Sequence, residues 1–226
     1  MRAAGLAVFL STSLGLAGFI VLFFAAVDTA NGSVLGNKSV RTALDQVLGA
    51  TGWFLAAVVV LVFLFAYFFS LVALRGYLNR YAGYTRANAP IDGIVGCSAS
   101  IIVVAAGGWA IGAGPLALIV LGILAVITFI LYFVQGFRLK NYAKAAGDRP
   151  VRVYAILVLV YCCSMLATLF LAMVAAAHPP LMAVVAIVGW VNSLVQLAAW
   201  VTLGVVLIAG AKKLRRKELG LNAATH

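Results

Sequence analysis

Long apolar runs, separated by short connections, are the feature that most constrains the fold of this chain. The first run extends from Gly5 to Val27 and the second from Gly49 to Leu74. Each can supply the roughly 20 apolar residues with which a helix crosses a bilayer. Hydrophobic residues make up 65% of the chain and charged residues 9%, against about 45–50% and about 25% in soluble domains. The chain is therefore predicted to be an integral, multi-pass membrane protein.

Two further apolar stretches are about twice as long as one crossing, and each contains a turn signal. Between Ile94 and Phe137, the sequence GGWAIGAGP supplies glycines and a proline for a reversal. Between Val153 and Ala209, the reversal falls at His178-Pro179-Pro180, because proline cannot continue a preceding helix. We therefore predict an all-α integral membrane protein with six transmembrane helices in three hairpins, forming a single transmembrane domain over residues 1–226. The predicted helices cover residues 5–27, 50–74, 94–110, 115–137, 153–177 and 182–209.

Basic residues are distributed unevenly over the predicted connections. Every Lys and Arg except Lys38 and Arg41 falls on one side of the six helices. Because short cytoplasmic connections carry an excess of Lys and Arg, we expect the N- and C-termini to be cytoplasmic. The net charge of +11 thus indicates topology, and no nucleic-acid partner is predicted. The connections are an outer loop at 28–48, basic cytoplasmic loops at 75–92 and 138–152, and a basic cytoplasmic tail at 210–226.

The predicted outer loop contains two short glycosylation patterns. Asn31 and Asn37 each begin an N-glycosylation acceptor sequence and lie on the side where this modification would occur. A chance match in a short polar loop is the competing explanation. Both asparagines are kept as candidate glycosylation sites.

Basic and aromatic residues alternate where the predicted helices leave the membrane. They are Arg75, Tyr77, Arg80, Tyr81, Tyr84, Arg86, Arg138 and Lys140. Aromatic rings favour the headgroup level and basic side chains extend toward phosphates, so the plain interpretation is a membrane–water interface. The alternative is a specific site for anionic lipid headgroups at the cytoplasmic face. Because the three tyrosines fall at i, i+4 and i+7, we expect one aromatic face directed toward headgroups or a partner subunit.

Ionisable side chains are missing from the middle of every predicted helix. The acidic residues are Asp28, Asp45, Asp92, Asp148 and Glu218, each at or beyond a helix end. Charges inside the membrane mark ion pathways and acid–base sites, so their absence from the sequence argues against pumps and intramembrane enzymes. No metal site, cofactor or catalytic residue is predicted. Asp92 is expected to cap the third helix and Asp148 to lie in a turn.

Uncharged polar residues and small residues are what the predicted helices offer instead. In the sixth helix, Asn192, Ser193 and Gln196 share one side, and they either hydrogen-bond to other helices or line a path for a polar, uncharged molecule. Small residues recur at contact spacing in the first and third helices and predict close helix or subunit packing. These contact stripes are Ser11, Gly15 and Gly18, and Gly93, Cys97, Ser100 and Gly107.

Three classes of function are compatible with this inventory. The sequence favours a non-catalytic structural or accessory subunit, which packs with copies of itself or with other membrane subunits into an oligomeric assembly. The alternative is a small channel or carrier for a neutral or apolar solute. An enzyme acting on lipid, with Asp92 or Asp148 at the membrane surface, is the least favoured class.

Overall fold

The computed structural model describes residues 1–12, 40–111, 114–177 and 181–219, and these residues form six α-helices. The helices are α1 (Arg2–Thr12), α2 (Val40–Ala82), α3 (Asn88–Ile111), α4 (Gly114–Ala146), α5 (Arg149–Ala177) and α6 (Met182–Glu218). Four helical segments of the described chain are long and apolar enough to cross a membrane. They are Leu61–Ala82, Leu116–Ala146, Arg149–Ala175 and Ile187–Glu218. The helical, multi-pass character predicted from the sequence is thus supported.

The helices continue well past the predicted membrane ends. α2 extends to Ala82 and α3 begins at Asn88, so the predicted basic loop at 75–92 is reduced to five residues. α4 and α5 are separated only by Gly147 and Asp148, and α6 continues through most of the described tail. Lys and Arg are good helix formers. α2 and α4 therefore end only where glycine permits a reversal, at Gly83 (φ 62°) and Gly147 (φ 67°).

The turn at Gly147 has the geometry of a Schellman motif. Gly147 takes the left-handed conformation, and the backbone N–H of Asp148 donates to the carbonyl of Ala143 at 3.1 Å. The carbonyl of Asp148 then accepts from the N–H of Arg152 at 3.0 Å, which starts α5. Asp148 therefore lies in a turn, as predicted. Asp92, in contrast, lies inside α3 rather than at its cap, because the helix begins four residues earlier.

The helices form a closed ring. α2, α3, α4 and α5 each pack against the next helix in the chain, and α6 packs back against α2. α1 lies against α6, where a Cβ atom placed on Gly5 would come within 2.6 Å of Ile208. Such close approach at glycine is how membrane helices gain dispersion energy, since lipid removes most of the hydrophobic driving force between them.

One end of the ring carries the basic residues and the buried core, and we call it the basic end. Arg75, Arg138, Arg152 and Lys213 all lie there, beside the turns that follow α2 and α4. Buried side chains concentrate within a few helical turns of these residues. They include Leu74, Leu78, Ile91, Leu139, Val151 and Leu207. Farther from this end the described helices are more open toward the interior.

Candidate functional site

A half-open cavity of about 730 Å³ lies between the helices, next to the core. α1, α2, α4, α5 and α6 all contribute residues to its described lining. Most of these side chains are aromatic or aliphatic, and the polar ones are hydroxyls and one amide. None of the described lining residues is Asp, Glu, Lys, Arg or His. The site is therefore suited to a neutral molecule.

An aromatic wall joins α2 to α6 along one side of the cavity. The Trp200 ring lies between Phe63 and Tyr67, with centroid distances of 5.4 Å and 5.8 Å and interplanar angles of 29° and 26°. Stacked rings of this kind add about 0.5–1.5 kcal/mol per pair beyond their buried area. The buried indole Nε1 of Trp200 has no hydrogen-bond partner among the described residues. The wall is thus a flat apolar surface next to an unused donor.

Tyrosine hydroxyls form the polar part of the cavity. The hydroxyls of Tyr67 and Tyr132 are 2.6 Å apart, and Tyr67 is also 3.1 Å from the Ser98 Oγ. Tyr154 and Tyr161 add two more phenols from α5. These hydroxyls can donate to and accept from a hydroxyl or carbonyl group.

The buried amide of Gln135 lies next to one of these hydroxyls, that of Tyr154. Gln135 follows Tyr132 by one helical turn and is fully buried. Its amide lies beside the Tyr154 hydroxyl but outside normal hydrogen-bond geometry, so both polar atoms are left unsatisfied. An unpaired buried amide costs about 1–3 kcal/mol. Gln135 therefore offers an unpaired amide next to Tyr154, which lines the cavity.

The polar residues of α6 divide into two groups. Ser193 and Gln196 line the cavity. Asn192 instead accepts a hydrogen bond from the Ser164 Oγ of α5 at 2.5 Å. The Ser193 Oγ also donates to the carbonyl of Gly189 in its own helix at 3.0 Å. Asn192 thus makes a packing contact between helices, whereas Ser193 and Gln196 line the cavity; a solute path through these residues stays a prediction.

Several cavity residues were not singled out in the sequence. Phe63 and Tyr67 of α2 line the cavity, although neither is assigned a role from the sequence. Tyr154 and Tyr161 are spaced seven residues apart, which places both on one face of α5. That spacing, together with the polar residues on α6, is the sequence pattern from which a polar lining could have been predicted.

The three tyrosines that were predicted to form one face, Tyr77, Tyr81 and Tyr84, have different surroundings in the structure. Tyr77 is buried among the helices, and its hydroxyl donates to the Asp148 Oδ2 at 2.7 Å. The Tyr81 ring stacks on Tyr77 at 5.4 Å. Tyr84 lies beyond the end of α2 and stacks on Tyr142 of α4 at 4.8 Å. The expectation that Tyr77 faces headgroups is therefore corrected, because its phenol is needed inside to satisfy a buried carboxylate.

The predicted basic residues also have different surroundings. Arg75 pairs with Asp92 at 2.9 Å on the surface. Arg138 donates to the carbonyl of Arg86 and accepts, at its own carbonyl, a 3.2 Å hydrogen bond from Tyr84. Lys140 is exposed. Arg80 belongs to a separate pocket and does not share a site with Arg138.

The small-residue stripes serve internal packing in part. Ser11 is buried in α1, and its Oγ donates to the carbonyl of Val8 at 2.9 Å. Gly93 packs against α4, where an added Cβ atom would lie 2.8 Å from Leu131. Cys97 is half-buried, whereas Ser100 and Gly107 are exposed. Gly15, Gly18, Asn31 and Asn37 lie outside the described residues, so their predicted roles stay predictions.

The site defines a class of protein, a helical membrane protein with a half-open cavity whose described lining carries no charged side chain. Comparison with protein-family models, with curated proteins and with solved structures finds no match to this chain. Among the described residues, no three His, Cys, Asp or Glu side chains lie close enough together to hold a metal ion. The function is accordingly inferred from the cavity and its lining.

Proposed function

We propose that this chain is a non-catalytic membrane protein that binds a neutral, mainly apolar molecule in the cavity and acts as its carrier or channel. The observation that carries the proposal is a cavity of about 730 Å³ whose described lining has no charged side chain. Small-molecule sites are typically concave and apolar, occupy about 300–1,000 Å³ and contain a few convergent polar groups. The cavity fits that description in size and in lining.

The lining favours a molecule with one polar end. The Tyr67 and Tyr132 hydroxyls and the Gln196 amide offer donors and acceptors without charge. The stacked wall of Phe63, Tyr67 and Trp200 offers a flat apolar surface. An anion or cation would be desolvated there without a counter-charge, which is costly in a membrane interior. A long-chain or ring-containing alcohol, ketone or ester fits this combination.

A glycine in the cavity wall permits a direct test. Gly189 lines the cavity, and a Cβ atom added to it meets no atom within 4 Å. Gly189→Leu therefore introduces a large apolar side chain at the cavity wall, starting from a Cβ position that meets no neighbouring atom. Gly122 in α4 is the matched control, because it is also helical, also has open space at Cβ and does not line the cavity. Both substitutions gain similar helix propensity.

The experiment compares purified wild type, Gly189→Leu and Gly122→Leu in mild detergent. Organic extracts are analysed by mass spectrometry for retained molecules, and binding of brominated dodecanol is followed by quenching of tryptophan fluorescence. We expect Gly189→Leu to lose the retained molecule and weaken quenching, with Gly122→Leu like wild type. Equal retention and equal quenching in all three proteins would contradict the proposal.

Membership of an oligomeric assembly is the second candidate, and one observation favours it. Ser100 and Gly107 are exposed on α3, and so is Gly96, one helical turn before Ser100. Small residues on an exposed face permit close approach of another helix. The mass of the particle in detergent, compared between wild type and Gly96→Leu, tests this candidate. A monomer in both proteins would eliminate it.

We also propose the six-span topology with three hairpins and cytoplasmic termini. It is supported by the clustering of basic residues at one end of the ring, which matches the positive-inside bias. Labelling of single introduced cysteines from each side of sealed vesicles tests it, with one near Lys140 and one at Asn37. Labelling of both positions from the same side would refute this topology.

A further inference from the structure

A second pocket, of about 470 Å³, lies at the basic end between α1, α2 and α6. Each of these helices contributes one arginine to it, namely Arg2, Arg80 and Arg215. Glu218 is the one acidic residue of the described lining. The pocket is distinct from the larger cavity, since the two share no lining residue in the described part of the chain. Three guanidinium groups that are far apart in the sequence thus converge on one concave surface.

Unlike Arg75, Arg138 and Lys213, these arginines have no side-chain partner among the described residues. Arg75 is paired with Asp92, Arg138 with a carbonyl oxygen and Lys213 with Asp148. No ion pair or hydrogen bond from the side chains of Arg2, Arg80 or Arg215 occurs within the described chain. Three like charges held beside a single carboxylate still repel one another, so an anion at this position would stabilise the arrangement.

The chemistry of the pocket matches a phosphate monoester. A guanidinium group presents a planar fork of N–H donors that binds phosphate oxygens in pairs. Three arginines against one glutamate leave an excess of at least two positive charges. A phosphate monoester carries about −1.5 to −2 charges near pH 7, whereas the diester of a bulk phospholipid carries about −1. The charge excess therefore favours the monoester.

We propose that Arg2, Arg80 and Arg215 form a binding site for a phosphate monoester, supplied by a lipid headgroup such as phosphatidate or by free phosphate. Glu218 limits the affinity, because its carboxylate faces the same pocket. The site is independent of the cavity and of whatever the cavity binds.

Titration of the full-length protein with vesicles tests the proposal. Vesicles of phosphatidylcholine contain either phosphatidate or phosphatidylglycerol, which is anionic but a diester. Arg80→Gln and Arg215→Gln are compared with Arg86→Gln and Arg216→Gln, which remove the same charge outside the described pocket lining. We expect each pocket variant to weaken phosphatidate binding by at least about tenfold, since a charge-assisted hydrogen bond to the phosphate is lost. The control variants lose only the general attraction of one basic residue to an anionic surface, which is at most about fivefold and equal for phosphatidate and phosphatidylglycerol.

A variant that strengthens binding separates this site from a folding defect. Glu218→Gln removes the opposing carboxylate, so it is expected to tighten phosphatidate binding about threefold to fivefold. Competition by inorganic phosphate would identify a water-soluble source of the group, and its failure to compete would identify the lipid. Equal weakening by pocket and control variants, or equal binding of phosphatidate and phosphatidylglycerol, would overturn the proposal.

Discussion

The hydroxyl of Tyr77 donates a 2.7 Å hydrogen bond to Oδ2 of Asp148, and this contact ties α2 to the turn between α4 and α5. The same carboxylate oxygen lies 2.9 Å from the Lys213 Nζ of α6. Asp148 is 5% exposed, so both partners satisfy a carboxylate that water barely reaches. α2, α6 and the turn between α4 and α5 thereby meet at one buried charge, which holds the basic end together.

Tyr77→Phe is expected to destabilise the protein by about 1–3 kcal/mol, because the Asp148 carboxylate loses a donor that water does not replace. Thermal or denaturant unfolding in detergent measures the change. Tyr142→Phe is the matched control, since the Tyr142 hydroxyl makes no hydrogen bond within the described chain and its ring stacks on Tyr84. An equal loss of stability in both variants would show that the Tyr77–Asp148 hydrogen bond makes no contribution of its own to the free energy of unfolding.

Gly210→Ala is expected to destabilise the same region by about 1–3 kcal/mol through overpacking. A Cβ atom at Gly210 would lie 2.7 Å from the Tyr77 ring, and that ring is fully buried and stacked on Tyr81. In Gly122→Ala the new methyl group meets open space, so the free energy of unfolding should rise slightly, by up to about 1 kcal/mol, through helix propensity. The two unfolding curves should therefore shift in opposite directions.

The helical, multi-pass character was predictable because apolar run length and turn residues are local properties of a sequence. The turn at Asp148 was likewise predictable, since Gly147 offers a left-handed conformation and Pro150 favours a helix start there. The helix ends beyond the membrane were not, because Arg75 and Arg80 indicate a membrane boundary without ending a helix. Basic residues indicate where a chain leaves the membrane, whereas a helix ends at residues that disfavour helix; the two positions need not coincide.

The cavity was less accessible to prediction than the fold. A helix that is apolar on all sides does not indicate which face turns toward the protein. Tyr77 and Tyr81 share a face of α2, yet the burial of Tyr77 depends on Asp148, which is distant in the sequence. Asn192 and Gln196 share a face of α6, yet only Asn192 meets a partner on α5. Such assignments depend on tertiary packing and not on spacing.

Arg75→Gln is expected to change the free energy of unfolding by less than about 1 kcal/mol. The Arg75–Asp92 pair is 2.9 Å long, but its side chains are 43% and 48% exposed, and exposed ion pairs contribute about 0–1 kcal/mol. Whatever effect is measured should shrink further in high salt. A loss above about 2 kcal/mol, or one unaffected by salt, would mean that the pair is shielded from solvent by something that covers this surface.

Asn192→Leu and Gln196→Leu are expected to have different effects, although the two amides lie one helical turn apart. Asn192→Leu removes the hydrogen bond from Ser164 and should cost about 0.6 kcal/mol, up to about 1.7, the range measured for such contacts in membranes. Gln196→Leu removes an amide from the cavity lining, so it should weaken binding of a polar-ended molecule and leave stability unchanged. Unfolding curves and brominated dodecanol binding, measured on the same preparations, give both readouts.

Ser164→Ala provides the control for this pair of variants. The Ser164 Oγ also donates to the carbonyl of Tyr161 at 3.0 Å, so it keeps one partner when Asn192 is replaced. If the Ser164–Asn192 bond carries the cost, then combining Ser164→Ala with Asn192→Leu should cost less than the sum of the two single changes. Full additivity would contradict the packing role of Asn192. Loss of dodecanol binding in Asn192→Leu, with normal binding in Gln196→Leu, would contradict the assignment of the cavity role to Gln196.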